Sequence, residues 1–283
     1  MTAASGRDRA SRPVDLPDPV LVSVIDDAPV WSGPFGAALL ERVETRPGLT
    51  VLDVGCGTGF PAIELANRLG AGSRVLAVDV WRAALERVRL KAESQEVRVV
   101  ALRAEAERLP FAASLFDVVV SNNGLNNVQD EARAFAEIGR VARPGAQLAI
   151  TWNLPGTMIE LYRELEAALV EAGLDDAVAA CADHIREKRK PVEHVLELLA
   201  RSGFERPEVG LSSFAMRFAG GGAVLDHFII RLAFRPAWEA LVPEPLRDDV
   251  FARLEGRLDT IAEREGEVRL TIPFACVTCR RAR

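Results

Sequence analysis

The 283-residue chain predicts an α/β fold, a doubly wound open sheet with helices on both faces. Three observations predict it. Residues 51–59, VLDVGCGTG, form an apolar strand that carries one acid, Asp53, and breaks into a glycine turn at Gly55, Gly57 and Gly59. Residues 75–80, VLAVDV, form a second apolar strand ending in another acid, Asp79, twenty residues beyond Gly59, which leaves room for one helix crossing back over the sheet. Strands and helices then alternate as far as residue 152, and the fourth strand has a continuous apolar core, as expected where both faces are covered.

The elements follow in order. The first 19 residues, rich in Pro, Ser and Arg, read as a disordered leader without the apolar segment of a secretory signal. Residues 20–47 are helical in part: PFGAALLERV (34–43) is amphipathic and stops at Arg46-Pro47-Gly48. Strands are expected at 50–54, 74–79, 97–102, 116–121 and 147–152, with helices at 60–69, 81–92 and 130–142 between them. The alternation then breaks. Two helices occupy 156–190, and a third, 191–202, stops at Gly203. A strand covers 205–218, Gly220–Gly222 form a flexible hinge, helices follow at about 223–234 and 244–264, and a last strand covers 267–279. In the 244–264 helix, Leu246, Val250, Leu254, Leu258 and Ile261 recur on one face.

The opening unit carries its own chemistry. A strand entering a helix through so tight a turn needs positive φ or very close backbone approach, and glycine permits both. The helix that follows aims its unpaired N–H groups at a ligand, and an acid at the tip of the next strand accepts the two hydroxyls of a ribose. A dinucleotide pattern can be laid over Gly57, Gly59 and Ala62. It keeps a nicotinamide-dependent oxidoreductase in view as an alternative, although Tyr162 is followed by Glu166 rather than by a lysine four residues on.

The fuller pattern, apolar–apolar–Asp–apolar–Gly–x–Gly–x–Gly over Val51–Gly59, resembles the first motif of the class I S-adenosylmethionine-dependent methyltransferases, of the small-molecule group that includes the ubiquinone/menaquinone methyltransferases. AEAERLPF (104–111), FDVVVSNNGLNNVQD (116–130) and EIGRVARPGAQLAITW (137–152) are similar to the motifs that follow in that family, in the same order. The likeness covers about residues 50–153. It implies a Rossmann-like, seven-stranded, mostly parallel sheet with the last strand antiparallel. It also implies one domain over 20–283, with a cofactor core at 48–153, closing strands at about 205–218 and 267–280, and helical insertions at about 154–190 and 220–266 forming a substrate lid.

The resemblance also implies roles in binding S-adenosylmethionine. Gly55, Cys56, Gly57 and Gly59 bring the backbone against the cofactor. Asp53 helps to hold the methionine end, Asp79 takes the ribose hydroxyls, and Val80 or Trp81 flanks the adenine. Glu105 and the backbone of Ala106 read the adenine edge, Glu standing where Asp is commoner. Asn122 sits beside the methionine moiety and the reacting methyl. Asn126 and Asn127 are candidates on the substrate side, and His227, in LDHFIIRLAF, is the candidate general base. The implied reaction is an in-line displacement of the sulfonium methyl by an N, O, C or S atom of a small, partly hydrophobic acceptor. A non-catalytic cofactor-binding module is the remaining alternative.

Composition narrows the partners. A net charge of −6 and a pI near 5.3 argue against nucleic acid, whose binding needs a basic face. No stretch is long and apolar enough for a membrane span, and the four cysteines do not make a disulfide framework, so a cytoplasmic protein is expected. A helical insertion serves equally as a lid or a dimer contact, which leaves a homodimer open. Cys276-x-x-Cys279 has metal spacing, but residues i and i+3 of a strand face opposite ways, so no metal is expected.

Overall fold

The structure, a computed structural model, describes residues 18–27 and 29–283. The expected leader lies outside the described residues as far as residue 17, and a helix is already under way at Asp18. The chain divides into two compact units. One holds the described residues up to Leu154 together with Lys190–Ser212 and Phe274–Arg283; the other holds Pro155–Arg189 and Ser213–Pro273.

The first unit is built on the sheet. Its strands are β1 (Thr50–Val54), β2 (Arg74–Asp79), β3 (Val99–Arg103), β4 (Phe116–Asn122), β5 (Ala142–Asn153) and the parts of β6 (Phe204–Phe218) and β7 (Val268–Arg281) that belong to it, in the order β3-β2-β1-β4-β5-β7-β6. β1 pairs in parallel with β2 and β4, β2 with β3, and β4 with β5, while β7 runs antiparallel to β5. The seven strands, parallel up to the antiparallel β7, are those expected. After β1 the chain builds outward one way, through β2 and β3, and after β3 it returns to β1's other side as β4. The carboxyl ends of β1 and β4 therefore flank the reversal where α/β sheets hold ligands.

Helices α1 (Asp18–Asp27), α2 (Ser32–Leu40), α3 (Phe60–Leu69), α4 (Arg82–Ser94), α5 (Glu131–Val141) and α8 (Val192–Arg201) complete this unit. Period-two alternation along the strands sorts the core into two layers. Leu52, Val54, Val119, Leu148, Ile150 and Val277 pack with Phe135 and Ile138 of α5; Val51, Val75, Val118, Val120 and Ala149 pack with Leu65 of α3 and Leu85 of α4. Cys279 falls in the first layer and Cys276 in the second, the opposed facing expected of a CxxC in a strand.

β5 departs from its expected start. It begins at Ala142 rather than 147 and runs through Pro144-Gly145, with the ladder to β4 irregular between Phe116 and Val118. The turn residues are taken up by that irregularity and by Gly145 at φ +81°.

The second unit is mainly helical: α6 (Ile159–Glu171), α7 (Asp175–Lys188), α9 (Gly221–Asp226), α10 (Phe228–Ala233), α11 (Arg235–Glu239) and α12 (Arg247–Glu265). Val250, Leu254 and Leu258 of the expected stripe are buried, whereas Leu246 is 39% exposed. Arg257 of α12 donates to Glu164 and Glu171 of α6 at 2.8 and 2.6 Å. The glycine run 220–222 is not a hinge. It starts α9, and a Cβ on Gly221 would lie 2.3 Å from the Glu255 carbonyl oxygen, so glycine is needed for α9 to lie against α12.

Candidate functional site

The glycine turn hangs on β2. Gly55 and Cys56 donate their N–H groups to the Val78 carbonyl at 2.9 and 3.0 Å, and Gly59 closes the turn on the Cys56 carbonyl at 2.8 Å. Gly57 and Trp81 then share one carboxylate: their N–H groups bond Asp79 Oδ2 and Oδ1 at 2.8 and 2.9 Å. A carboxylate offers about four acceptor positions, so Asp79 keeps one free lone pair on each oxygen.

Close approach explains two of the glycines. Gly55, at φ +70°, faces Gly124 in the loop after β4. A Cβ on Gly55 would sit 2.8 Å from Gly124 Cα, and one on Gly124 would sit 2.8 Å from the Val54 carbonyl oxygen. Gly57, at φ +52°, is different: nothing lies within 4 Å of where its Cβ would be, so its backbone is open to a ligand. α3 begins after Gly59 with no side-chain cap and Pro61 in its first turn, leaving its other amide donors free near the turn.

Beneath this turn lies Asp53, fully buried, with neither carboxyl oxygen hydrogen-bonded among the described residues. Burial, and secondarily the charge of Asp79, push its pKa up to about 8; the Ala62 amide opposes the rise without reaching hydrogen-bond geometry. The buried Cys56 thiol is also held well above its usual range, first by burial and then by Asp53 and Asp79.

Asn122, at the tip of β4, is fixed from both sides. Its Oδ1 accepts from Thr151 Oγ1 at 2.9 Å, and its Nδ2 donates to the Ser32 carbonyl at 3.0 Å. The Thr151 bond follows from the parallel ladder, which sets Asn122 opposite Thr151. Ser121 donates to the Val54 carbonyl at 2.7 Å, tying β4 to the start of the glycine turn.

A cavity of about 820 Å³ opens at this edge, within the first unit. Its lining brings together Gly55, Asp79, Val80, Glu105, Ala106, Asn122 and Asn127 from the residues expected on sequence. The 104–107 segment is held beside β2 by the Ala104 N–H on the Asp79 carbonyl at 3.1 Å. Glu105 is exposed.

Other expected residues fall elsewhere. Gly57, Gly59 and Trp81 shape the wall through their backbone without lining the cavity, and Asp53 and Cys56 lie buried behind it. Asn126 turns its Nδ2 onto Asn123 Oδ1 and its Oδ1 inward without a partner. His227 belongs to the helical unit and does not line the cavity. It sits between α9 and α10, edge-on to Phe218, its Nδ1 buried without a hydrogen bond and its pKa lowered by burial.

Sequence reading missed Gly124, Thr151 and the outer rim. The rim consists of Glu107, Arg108 and residues 128–130, with Arg133 beside them. Glu107 Oε1 accepts the Gln129 N–H at 3.0 Å, and Arg133 Nε donates to the Glu107 carbonyl at 3.0 Å, so the 104–108 and 127–133 segments close on each other. The only advance signal was the cap: Asp130 accepts the Arg133 N–H at 2.9 Å, an acid placed where a helix N-terminus calls for one.

Comparison with known proteins agrees with this geometry. Residues 52–150 match a family model described as a methyltransferase domain. The chain is 34% identical over 175 residues to methyltransferase GfsG of Streptomyces halstedii, covering 60% of this chain and 61% of that one. It is 36% identical over 121 residues to the ubiquinone/menaquinone biosynthesis C-methyltransferase UbiE of Bordetella parapertussis, covering 43% and 45%. It thus spans about half to three-fifths of the length of these curated relatives.

Among solved structures, the fold is similar to that of Haemonchus contortus phosphoethanolamine N-methyltransferase 2 bound to S-adenosyl-L-methionine. The TM-score is 0.57 at 18% identity, over 99% of this chain and 61% of that one. It is also similar to the YcgJ protein of Bacillus subtilis, at 0.59 and 12%, over 88% and 99%. With the glycine turn, Asp79, the 104–111 segment and Asn122 all inside the matched segment, residues 52–150 form a methyltransferase domain, similar to that of the ubiquinone/menaquinone methyltransferases.

Proposed function

We propose that this protein transfers the methyl group of S-adenosylmethionine to an N, O, C or S atom of a small, partly hydrophobic acceptor in the cytoplasm. The observation that carries the reading is the cavity at the β1–β4 reversal, walled by an open glycine turn and by a carboxylate with two spare lone pairs.

The residues fit that group. Asp53 is a buried carboxyl group without a donor among the described residues, and the α-ammonium of a methionine moiety is the donor against which it would ionise. Asp79 has the lone pairs for two ribose hydroxyls, Glu105 and Ala106 stand at the adenine end of the cavity, and Val80 supplies an exposed apolar flank. When bound, the sulfonium supplies an activated methyl group for in-line displacement.

The chain's own residues then bind, orient and exclude water. Asn122, held by Thr151 and by Ser32 of α2, presents a fixed amide near the methionine end. Asn127, exposed on the cavity rim, is offered to the acceptor side, and Asn126 supports that loop from behind through Asn123. His227, its pKa lowered by burial, lies in the helical unit and off the cavity lining, so the proposed displacement does not use it as a base.

The names of several relatives point to quinone-type rings as acceptors, which fits an acceptor that is small and largely apolar. Nucleic acid is not expected as a partner of so acidic a chain, and a homodimer is open to test by sedimentation. Among the described residues no helix is long and apolar enough to cross a membrane.

A thermal-shift comparison of S-adenosylmethionine, S-adenosylhomocysteine and NADH tests the reading. Ligand at a hundred times its Kd adds about 2.7 kcal/mol of stability. Stabilisation by the two sulfur nucleosides alone is expected; stabilisation by NADH alone, or by none of the three, overturns it.

A further inference from the structure

A second cleft lies at the other end of the strands, near the start of β5. It encloses about 190 Å³ and is lined by Arg42, Gln147, Arg206, Glu208, Thr278 and Arg280, all within the first unit. Three guanidinium groups meet the Glu208 carboxylate here, with Glu44 on Arg280 from outside the lining, in a chain whose net charge is −6. Such a concentration of one sign costs free energy unless counter-charge is supplied.

Little of that counter-charge comes from the protein. Arg280 bonds Glu44 at 3.0 Å. Arg42 and Arg206 make no ion pair and no side-chain hydrogen bond among the described residues, and Glu208 pairs with neither.

These arginines are nevertheless placed. The Arg42 guanidinium lies on the backbone of β6 at Gly210: a Cβ there would come within 2.2 Å of Nη2 and 2.5 Å of Cζ, so any residue but glycine would displace it. The backbone of Arg42 is anchored by Gln147 Nε2, which donates to its carbonyl at 2.9 Å, while Gln147 Oε1 accepts the Glu44 N–H at 2.8 Å. Arg206 holds φ +54°, a left-handed conformation that a non-glycine residue adopts at a cost and that concentrates at ligand-binding positions. Thr278, 8% exposed, brings a hydroxyl to the same lining.

We propose that this cleft binds a small phosphate-bearing dianion. Guanidinium groups recognise the oxygens of a tetrahedral oxyanion through paired, charge-assisted donors, and the two guanidinium groups that carry no ion pair among the described residues, those of Arg42 and Arg206, are the ones such an anion would take up. The cleft, open on one side, has room for a phosphate with a short carbon chain. The site is separate from the 820 Å³ cavity, sharing no lining residue with it, and does not depend on methyl transfer.

The test uses the full chain at constant ionic strength, with inorganic phosphate, glycerol 3-phosphate, acetate and chloride compared by thermal shift and titration calorimetry. Phosphate or the phosphate monoester is expected to raise Tm above chloride and acetate. R42Q and R206Q are each expected to weaken the binding at least tenfold, while R98Q, on an exposed arginine outside the cleft, leaves it unchanged. R206G removes the charge and the left-handed cost together, so it is expected to keep or raise the ligand-free Tm while losing the response. A stronger response to glycerol 3-phosphate assigns the site to a monoester, and equal responses assign it to free phosphate. Neither phosphate nor glycerol 3-phosphate acting better than chloride or acetate, or a full response in the R42Q/R206Q double variant, overturns the proposal.

Discussion

Gly57 donates its backbone N–H to the Asp79 carboxylate at 2.8 Å, so the first turn and the tip of the second strand are one hydrogen-bonded unit before any ligand arrives. Asp79→Ala removes that bond, the Trp81 bond and the lone pairs offered to a ribose. Cofactor affinity is expected to fall by about 1–3 kcal/mol, the scale for unpairing buried hydrogen-bonding groups. Calorimetric titration with S-adenosylhomocysteine measures it, and unchanged affinity removes Asp79 from the site.

Asp53 makes stability depend on pH. Its pKa is near 8 folded and near 3.8 unfolded, so between these values the folded state holds a proton that the unfolded chain has released. The contribution is full below pH 4 and is lost as pH rises toward 8, at about 1.4 kcal/mol per unit. Asp53→Asn is expected to flatten this slope in urea denaturation between pH 5 and 8; an unaltered slope refutes it.

The same carboxyl predicts proton traffic. If an ammonium group becomes its partner, its pKa falls and a proton leaves on binding near pH 7. The enthalpy of S-adenosylhomocysteine binding is then expected to vary with the ionisation enthalpy of the buffer, and to stop varying in Asp53→Asn. Identical enthalpies in phosphate and Tris count against the pairing.

In the helical unit, the fully buried Trp238 donates Nε1–H to the Tyr162 hydroxyl at 3.0 Å. Tyr162→Phe strands that donor, and a loss of about 1–3 kcal/mol of folding stability is expected by chemical denaturation. A loss below about 0.5 kcal/mol shows that the indole finds another acceptor.

Much of the fold was legible because its signals are local. The glycine turn, the acids at 53 and 79 and the apolar runs of β1, β2 and β4 each announce themselves within a few residues. Features that need two distant segments were not legible. Thr151 reads as one polar residue in a strand until the β4–β5 register sets it opposite Asn122. Gly124 reads as loop until it meets Gly55, and Gly221 reads as hinge until it meets Glu255. Asn126, Asn127 and His227 came from residue type and neighbourhood alone. The structure brings only Asn127 to the cavity lining, because residue type says nothing of where a side chain turns.

The glycines of the turn differ in whether damage to them can be repaired. At Gly59 an added methyl would strike Val88 Cγ2, 2.7 Å away; trimming that valine to alanine makes room, although the left-handed φ of +89° still costs a side chain. At Gly55 and Gly124 the obstacle is main chain on both sides, the Gly124 Cα and the Val54 carbonyl. No neighbouring substitution shrinks a backbone. Selection for revertants of a Gly55→Ala or Gly124→Ala variant is therefore expected to return true reversions, whereas Gly59→Ala also yields partial second-site suppressors at Val88 that relieve the clash but not the backbone cost.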